Sequence, residues 1–167
     1  MNLPICIICL KSGILCKSCQ SKLDSGEIED IDIQISRLFL ELEYKFPELR
    51  NSTFYKAMHA DDTIILLVRS GSKIPKATWN KIASTIKNKL GKNVKIVEKT
   101  MSIRQLAEQI LFPVKVKSVN TIWLPDGSCE NHIKISKADI SRLKFSKDVA
   151  EKILSRFIKE NIRIIEE

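Results

Sequence analysis

Ile82, Ile86 and Leu90, three apolar residues at helical spacing, are matched 67 positions later by Val149, Ile153 and Phe157, and Val94 is matched 68 positions later by Ile162. A fixed offset between two stretches of one pattern is the mark of an internal repeat. A chain of 167 residues has room for one ordinary domain or two small ones, and the offset selects two.

The first copy opens after Gly26 with Ile31, Ile35, Leu38, Phe39 and Leu42 on one helical face, with Asp30 or Asp32 placed to cap it. Strands are predicted at Phe54–Ala60 and Thr63–Arg69, reversing at Asp61-Asp62. Ser70-Gly71-Ser72 breaks that pattern. A helix carrying Trp79, Ile82, Ile86 and Leu90 follows, stops at Gly91, and leads into a strand over Val94–Glu98. The second copy begins with the capping box Ser102-Ile103-Arg104-Gln105 and a helix through Leu106, Ala107 and Ile110 that Pro113 ends. Strands at Val116–Leu124 and Asn131–Ile135 flank the turn Pro125-Asp126-Gly127-Ser128, and a last helix precedes the strand from Ile162 to Glu166. Each copy therefore reads helix, strand, strand, helical segment, helix, strand. The compact solution is an α+β unit, a three-stranded sheet covered on one face by helices that each bury one apolar stripe. That is the element order of a type II KH domain, and equally of a generic α+β repeat with no RNA role.

Ahead of the repeats stand Cys6-Ile-Ile-Cys9 and Cys16-Lys-Ser-Cys19, four cysteines within fourteen residues. Two C-x-x-C pairs offer four thiolates that close a tetrahedron around one Zn²⁺, with Gly13 supplying the reversal between them; an iron–sulfur cluster uses the same ligand type. A four-cysteine site has no open coordination position, so the expected role is structural. The apolar residues Ile7, Ile8, Leu10, Ile14 and Leu15 exceed what the metal needs and are free to cover the protein or meet a partner. Cys129 stands alone near a turn and reads as a packing or surface thiol. The boundaries that follow are a zinc knuckle at 1–26 and KH-like domains at 27–100 and 101–167.

The longest apolar stretch, Thr63 to Val68, is strand-sized, so no membrane span is expected. Met1-Asn2-Leu3-Pro4 lacks the basic start and apolar run of a signal peptide, which points to a reducing cytoplasm, where cysteines bind metal rather than pair. Net charge is +8, unevenly spread: residues 1–43 hold four basic and seven acidic side chains, so the whole surplus lies in the C-terminal three quarters of the chain. A basic face attracts phosphate backbones. No catalytic constellation is apparent. His59 and His132 have no nucleophile at a local spacing, Asp61-Asp62 sits in a turn, and there is no Gly-rich phosphate loop, so neither enzyme activity nor a small-molecule substrate is expected.

Leu90-Gly91-Lys92-Asn93-Val94-Lys95-Ile96-Val97-Glu98 resembles the end of the first KH domain in NusA-type transcription factors. Ile110-Leu111-Phe112-Pro113-Val114-Lys115-Val116 and Val119-Asn120-Thr121-Ile122-Trp123-Leu124-Pro125-Asp126-Gly127 look like the opening of the second KH domain in that family. With the paired cysteines, the chain is similar to an archaeal branch of NusA-like proteins with a cysteine-rich N-terminus. The resemblance implies an RNA-binding accessory factor acting in transcription elongation or termination beside RNA polymerase.

KH domains clamp single strands with a G-x-x-G loop whose bare backbone approaches the phosphates. Here the corresponding slots, Ile74–Asn80 and Ile140–Phe145, contain no glycine, which puts the usual clamp in doubt. Lys73, Lys76 and Lys81 surround the first slot and Arg142, Lys144 and Lys147 the second, so side chains are expected to replace backbone in phosphate contact. Trp79 and Trp123 are both assigned to the core. Two other functions remain open on the residues alone: a ribosome or ribosomal-RNA associated factor, and a protein-interaction scaffold that has lost RNA binding.

Overall fold

Apolar residues recurring every three or four positions form six α-helices, and six strands accompany them, in a computed structural model that describes every residue from Met1 to Glu167. The chain divides into two units, Met1–Ile96 and Val97–Glu167. A three-stranded sheet belongs to each repeat, so the architecture is mixed α+β with a cysteine cluster at its head.

The first unit begins with two short helices, α1 (Ile7–Ser12) and α2 (Lys17–Asp24), followed by α3 (Asp30–Lys45) and a 3₁₀ turn at Pro47–Asn51. Next come β1 (Thr53–Ala60), β2 (Thr63–Arg69), α4 (Lys76–Leu90) and β3 (Asn93–Glu98), which runs on past the unit boundary. β2 lies between β1 and β3 and pairs antiparallel with β1. The reversal at Asp61-Asp62 places Asp61 at φ 53°, a left-handed conformation that aspartate tolerates. Ile35, Phe39, Ile82 and Ile86 bring the α3 and α4 stripes onto Phe54, Ile64, Leu66 and Val68 of the sheet. A smaller core of Ile5, Cys9, Leu10, Cys19 and Ile28 joins the cysteine head to α3 through Ile33 and Leu40.

Two local expectations are corrected here. The N-cap of α3 is Glu29, neither Asp30 nor Asp32, and Asp32 answers it from the third helical position by accepting the Glu29 N–H at 2.8 Å. Asp32 is fully buried because the same carboxylate also accepts the Ala57 N–H at 2.6 Å and faces Lys56 Nζ at 3.3 Å, tying α3 to the bulged start of β1. The helical segment expected between the second strand and the following helix is missing from the first copy. Only residues 70–75 span that gap, ending at Pro75, and Gly71 lies flat against the 3₁₀ turn: a Cβ there would sit 1.5 Å from the Asn51 carbonyl oxygen.

The second unit contains α5 (Ile103–Leu111), β4 (Val116–Trp123), β5 (Cys129–Ile135), a 3₁₀ turn at Lys137–Arg142, α6 (Lys147–Ile158) and β6 (Asn161–Glu166). Here the helical segment does form, as that turn. Ser102 and Ser146 cap the helices by accepting the Gln105 and Val149 N–H groups. β5 is central, antiparallel to β4 and parallel to β6. Asn131, Ile133 and Ile135 of β5 and Ile162 and Ile164 of β6 alternate into the core with Leu106, Ile110, Ile153 and Phe157.

The two tryptophans part company. Trp79 is 9% exposed within the first core, whereas Trp123 is 74% exposed, against the sequence expectation. Trp123 ends β4, of which only the Val116 end is buried, so the tip of the hairpin projects with Ile122 and Leu124 also exposed.

Candidate metal centre and nucleic-acid interface

Both C-x-x-C pairs are built in one way. Cys6 and Cys16 stand at the N-caps of α1 and α2, and Cys9 and Cys19 lie three residues inside those helices. Residues at those two positions of a helix share a face, so each helix start presents two sulfurs together. Gly13 ends α1 at φ 76°, a left-handed cap whose N–H returns to the Cys9 carbonyl, and the reversal brings the second pair onto the first.

All four sulfurs lie within 4.8 Å of one another. A tetrahedron with bonds of about 2.3 Å has edges of about 3.8 Å, so the set fits a single metal ion. Backbone N–H groups point at the sulfurs across the two pairs, Cys16 N at 3.1 Å from Cys9 Sγ and Cys6 N at 3.5 Å from Cys19 Sγ. Such donors stabilise thiolate charge. The hydrogen bond to Cys9, at 3.0 Å between the sulfurs, holds the Cys6 thiol below its ordinary value, and the Cys19 backbone N–H lowers Cys16 to about 7. The same contact with Cys6 pushes Cys9 up to about 12. Cys19 is raised as well: the Cys6 N–H pulls it down, but burial and the Cys16 thiol outweigh that pull. Four sulfurs this close cannot all carry charge unaided, and a cation held between them would supply the compensating positive charge.

Around the cluster, Leu10 is buried, while Ile7, Ile8 and Ile14 are exposed. Cys129 is a half-buried free thiol opposite Trp123 in the β4–β5 ladder. His59 lies exposed on β1, and His132 faces Glu130 on β5.

The six basic residues singled out from the sequence fall into unlike settings. Lys73 precedes α4, Lys76 opens it and Lys81 follows within it; all three are exposed, and none has an ion pair. They belong to a longer run, because residues 70–97 hold seven lysines and no acidic side chain. In the second unit Arg142 is paired with Asp139 at 3.2 Å and Lys147 with Glu166 at 3.5 Å, leaving Lys144 without an acidic partner. Ile74 and Phe145 are buried, so each glycine-free slot is pinned by one apolar anchor.

One feature escaped the sequence reading. The C-terminus of α3 and the middle of α4 enclose a surface groove of about 510 Å³, lined by Lys45, Phe46, Asn80, Lys81, Ser84 and Thr85. These residues come from segments thirty-five positions apart, and no local motif joins them.

No helix of the chain is long and apolar enough to cross a membrane. No protein-family model matches the chain, and no curated protein matches it. Among solved structures, the chain is similar to the crystal structure of APE1850, at 18% identity and a TM-score of 0.48, over 77% of this chain and 96% of that one.

Proposed function

We propose that this protein is an RNA-binding accessory factor of the transcription apparatus, with a zinc-stapled head and two KH-like units whose loops lack glycine. The observation that carries RNA binding is the acid-free, lysine-rich segment from residue 70 to residue 97, with Lys73, Lys76 and Lys81 exposed and unpaired. Lys89, at the far end of α4, is paired with Glu41, so the lysines that keep their charge for phosphate contact are those at and near the start of the helix. The order helix, strand, strand, helix, strand in both repeats supports the KH-like reading, and the NusA-like phrases support the link to transcription.

Zinc is the metal this reading assigns to Cys6, Cys9, Cys16 and Cys19. Sulfurs gathered within 4.8 Å suit one ion, whereas the core of a multinuclear iron–sulfur cluster would hold its ligands farther apart. A zinc ion there supplies folding energy to a head with a small core, and closes the site to catalysis. Thiolate ligands need a reducing compartment, in keeping with a cytoplasmic protein.

The test is affinity for single-stranded RNA as a function of salt. Binding that declines with a log–log slope of about −0.7 per phosphate contact is expected. Undetectable binding at low salt would instead favour a protein-interaction scaffold, the second reading, which the internally neutralised Arg142 and Lys147 and the exposed Ile7, Ile8 and Ile14 support. Co-purification with RNA polymerase, as opposed to ribosomal subunits, separates the transcription role from a ribosomal one.

A further inference from the structure

The groove between α3 and α4 combines three chemistries in one place: an apolar ring, two cations and unengaged hydrogen-bonding groups. Phe46, at the C-cap of α3, is half-buried against the core and keeps part of its ring in the groove. Lys45 Nζ lies 5.8 Å from the centre of that ring. Across the groove, exposed Asn80, Lys81 and Ser84 make no side-chain hydrogen bond or ion pair, while the Thr85 hydroxyl is spent on the Lys81 carbonyl at 2.9 Å. On the C-terminal stretch of α3, Glu41 is held by Lys89 one turn beyond the groove and Glu43 by the N-terminal ammonium, so neither is free to cancel the pair of lysines. An amide that donates and accepts, beside an aromatic wall, matches the edge and face of a nucleobase. Cations at the rim match phosphates, and a free hydroxyl matches a sugar oxygen.

We infer that this groove is a subsite for one nucleotide of single-stranded RNA, with the base packed on Phe46 and its edge read by Asn80, Ser84 at the 2′-hydroxyl, and Lys45 and Lys81 on the flanking phosphates. The inference rests on the RNA-binding reading above and adds to it a point of base selection that phosphate contacts alone do not provide. The groove volume lies within the roughly 300–1,000 Å³ of small-ligand clefts.

The full-length, metal-loaded protein is titrated with fluorescently labelled single-stranded homopolymers of each base, as RNA and as DNA, over a range of salt. The wild type is expected to prefer one base, with Asn80→Ala reducing that preference roughly fivefold to tenfold while leaving affinity for the disfavoured bases unchanged. Lys81→Gln is expected to flatten the salt slope by about 0.7, and Ser84→Ala to narrow the preference for RNA over DNA. Asn80, Lys81 and Ser84 are exposed, so these variants keep the fold, which circular dichroism verifies. In parallel, an RNA carrying 4-thiouridine is photocrosslinked and the protein digested with trypsin, with the adduct expected on the peptide Phe46-Pro47-Glu48-Leu49-Arg50. Wild-type base preference and salt slope in all three variants, or adducts confined to other peptides, would overturn the subsite while leaving RNA binding intact. Failure of the wild type to bind any RNA at low salt would remove both the subsite and the function it rests on.

Discussion

Gly71 shows how much one missing methyl group can matter. Its Cα is packed so tightly on the Asn51 carbonyl that a Cβ would lie 1.5 Å from the oxygen, and the atom in the way is backbone, which cannot swing aside as a side chain does. Gly71→Ala is therefore expected to cost about 1–3 kcal/mol. A thermal melt would register this as a fall of about 4–8 °C per kcal/mol, and an unchanged melting temperature would contradict the packing. The cysteines are sensitive for a different reason. Cys9 is 1% exposed and supplies both a sulfur to the metal set and an acceptor to the Cys16 N–H. Cys9→Ser is expected to lower the metal content from about one equivalent to near zero by elemental analysis, since three thiolates and a hydroxyl bind a soft-leaning ion poorly. Both residues stood out in the sequence, Gly71 as a pattern break and Cys9 by its spacing. Asp32 did not, because its buried role depends on β1, twenty-four residues away.

At the scale of elements, helices were the readily legible part. A helix displays its buried stripe within one segment, so Ile82, Ile86 and Ile153 identify their own cores whatever else the chain does. A strand does not, because what covers it comes from elsewhere. Thus Trp79, on a helix, is in the core as expected, and Trp123, in an apolar strand, is at the exposed tip of a hairpin. The two tryptophans should consequently respond in opposite ways. Trp79→Ala is expected to cost about 3–5 kcal/mol in denaturant melts, as truncation of a large core aromatic does. Trp123→Ser should stay within about 0.5 kcal/mol of the wild type. A large loss for Trp123→Ser would mean that the hairpin tip is covered.

For the molecule as a whole, the distribution of charge carries the functional argument. The two repeats share one element order but not one electrostatic setting: the lysines at the start of α4 are unopposed, whereas Arg142 and Lys147 are engaged by Asp139 and Glu166. Reversing Lys73, Lys76 and Lys81 together to glutamate is expected to remove most affinity for RNA and most of its salt dependence. Reversing Arg142 and Lys147 should have a much smaller effect, because those groups already have partners. Equal losses from the two sets would show that the repeats bind alike. The comparison requires only titrations of intact protein, with circular dichroism to verify folding.

What the amino-acid order determined by itself was everything local: the two C-x-x-C pairs, the helical stripes, the caps at Ser102 and Gly91, and the 67-residue repeat. Each depends on the geometry of a few consecutive residues, which is the same in any fold that contains them. Tertiary structure alone decided which lysines keep their charge unopposed, which tryptophan is exposed, and that Phe46 meets Asn80 across a groove. Those outcomes depend on the distance between groups far apart in the chain, and burial, ion pairing and cavity walls exist only once separate elements are packed.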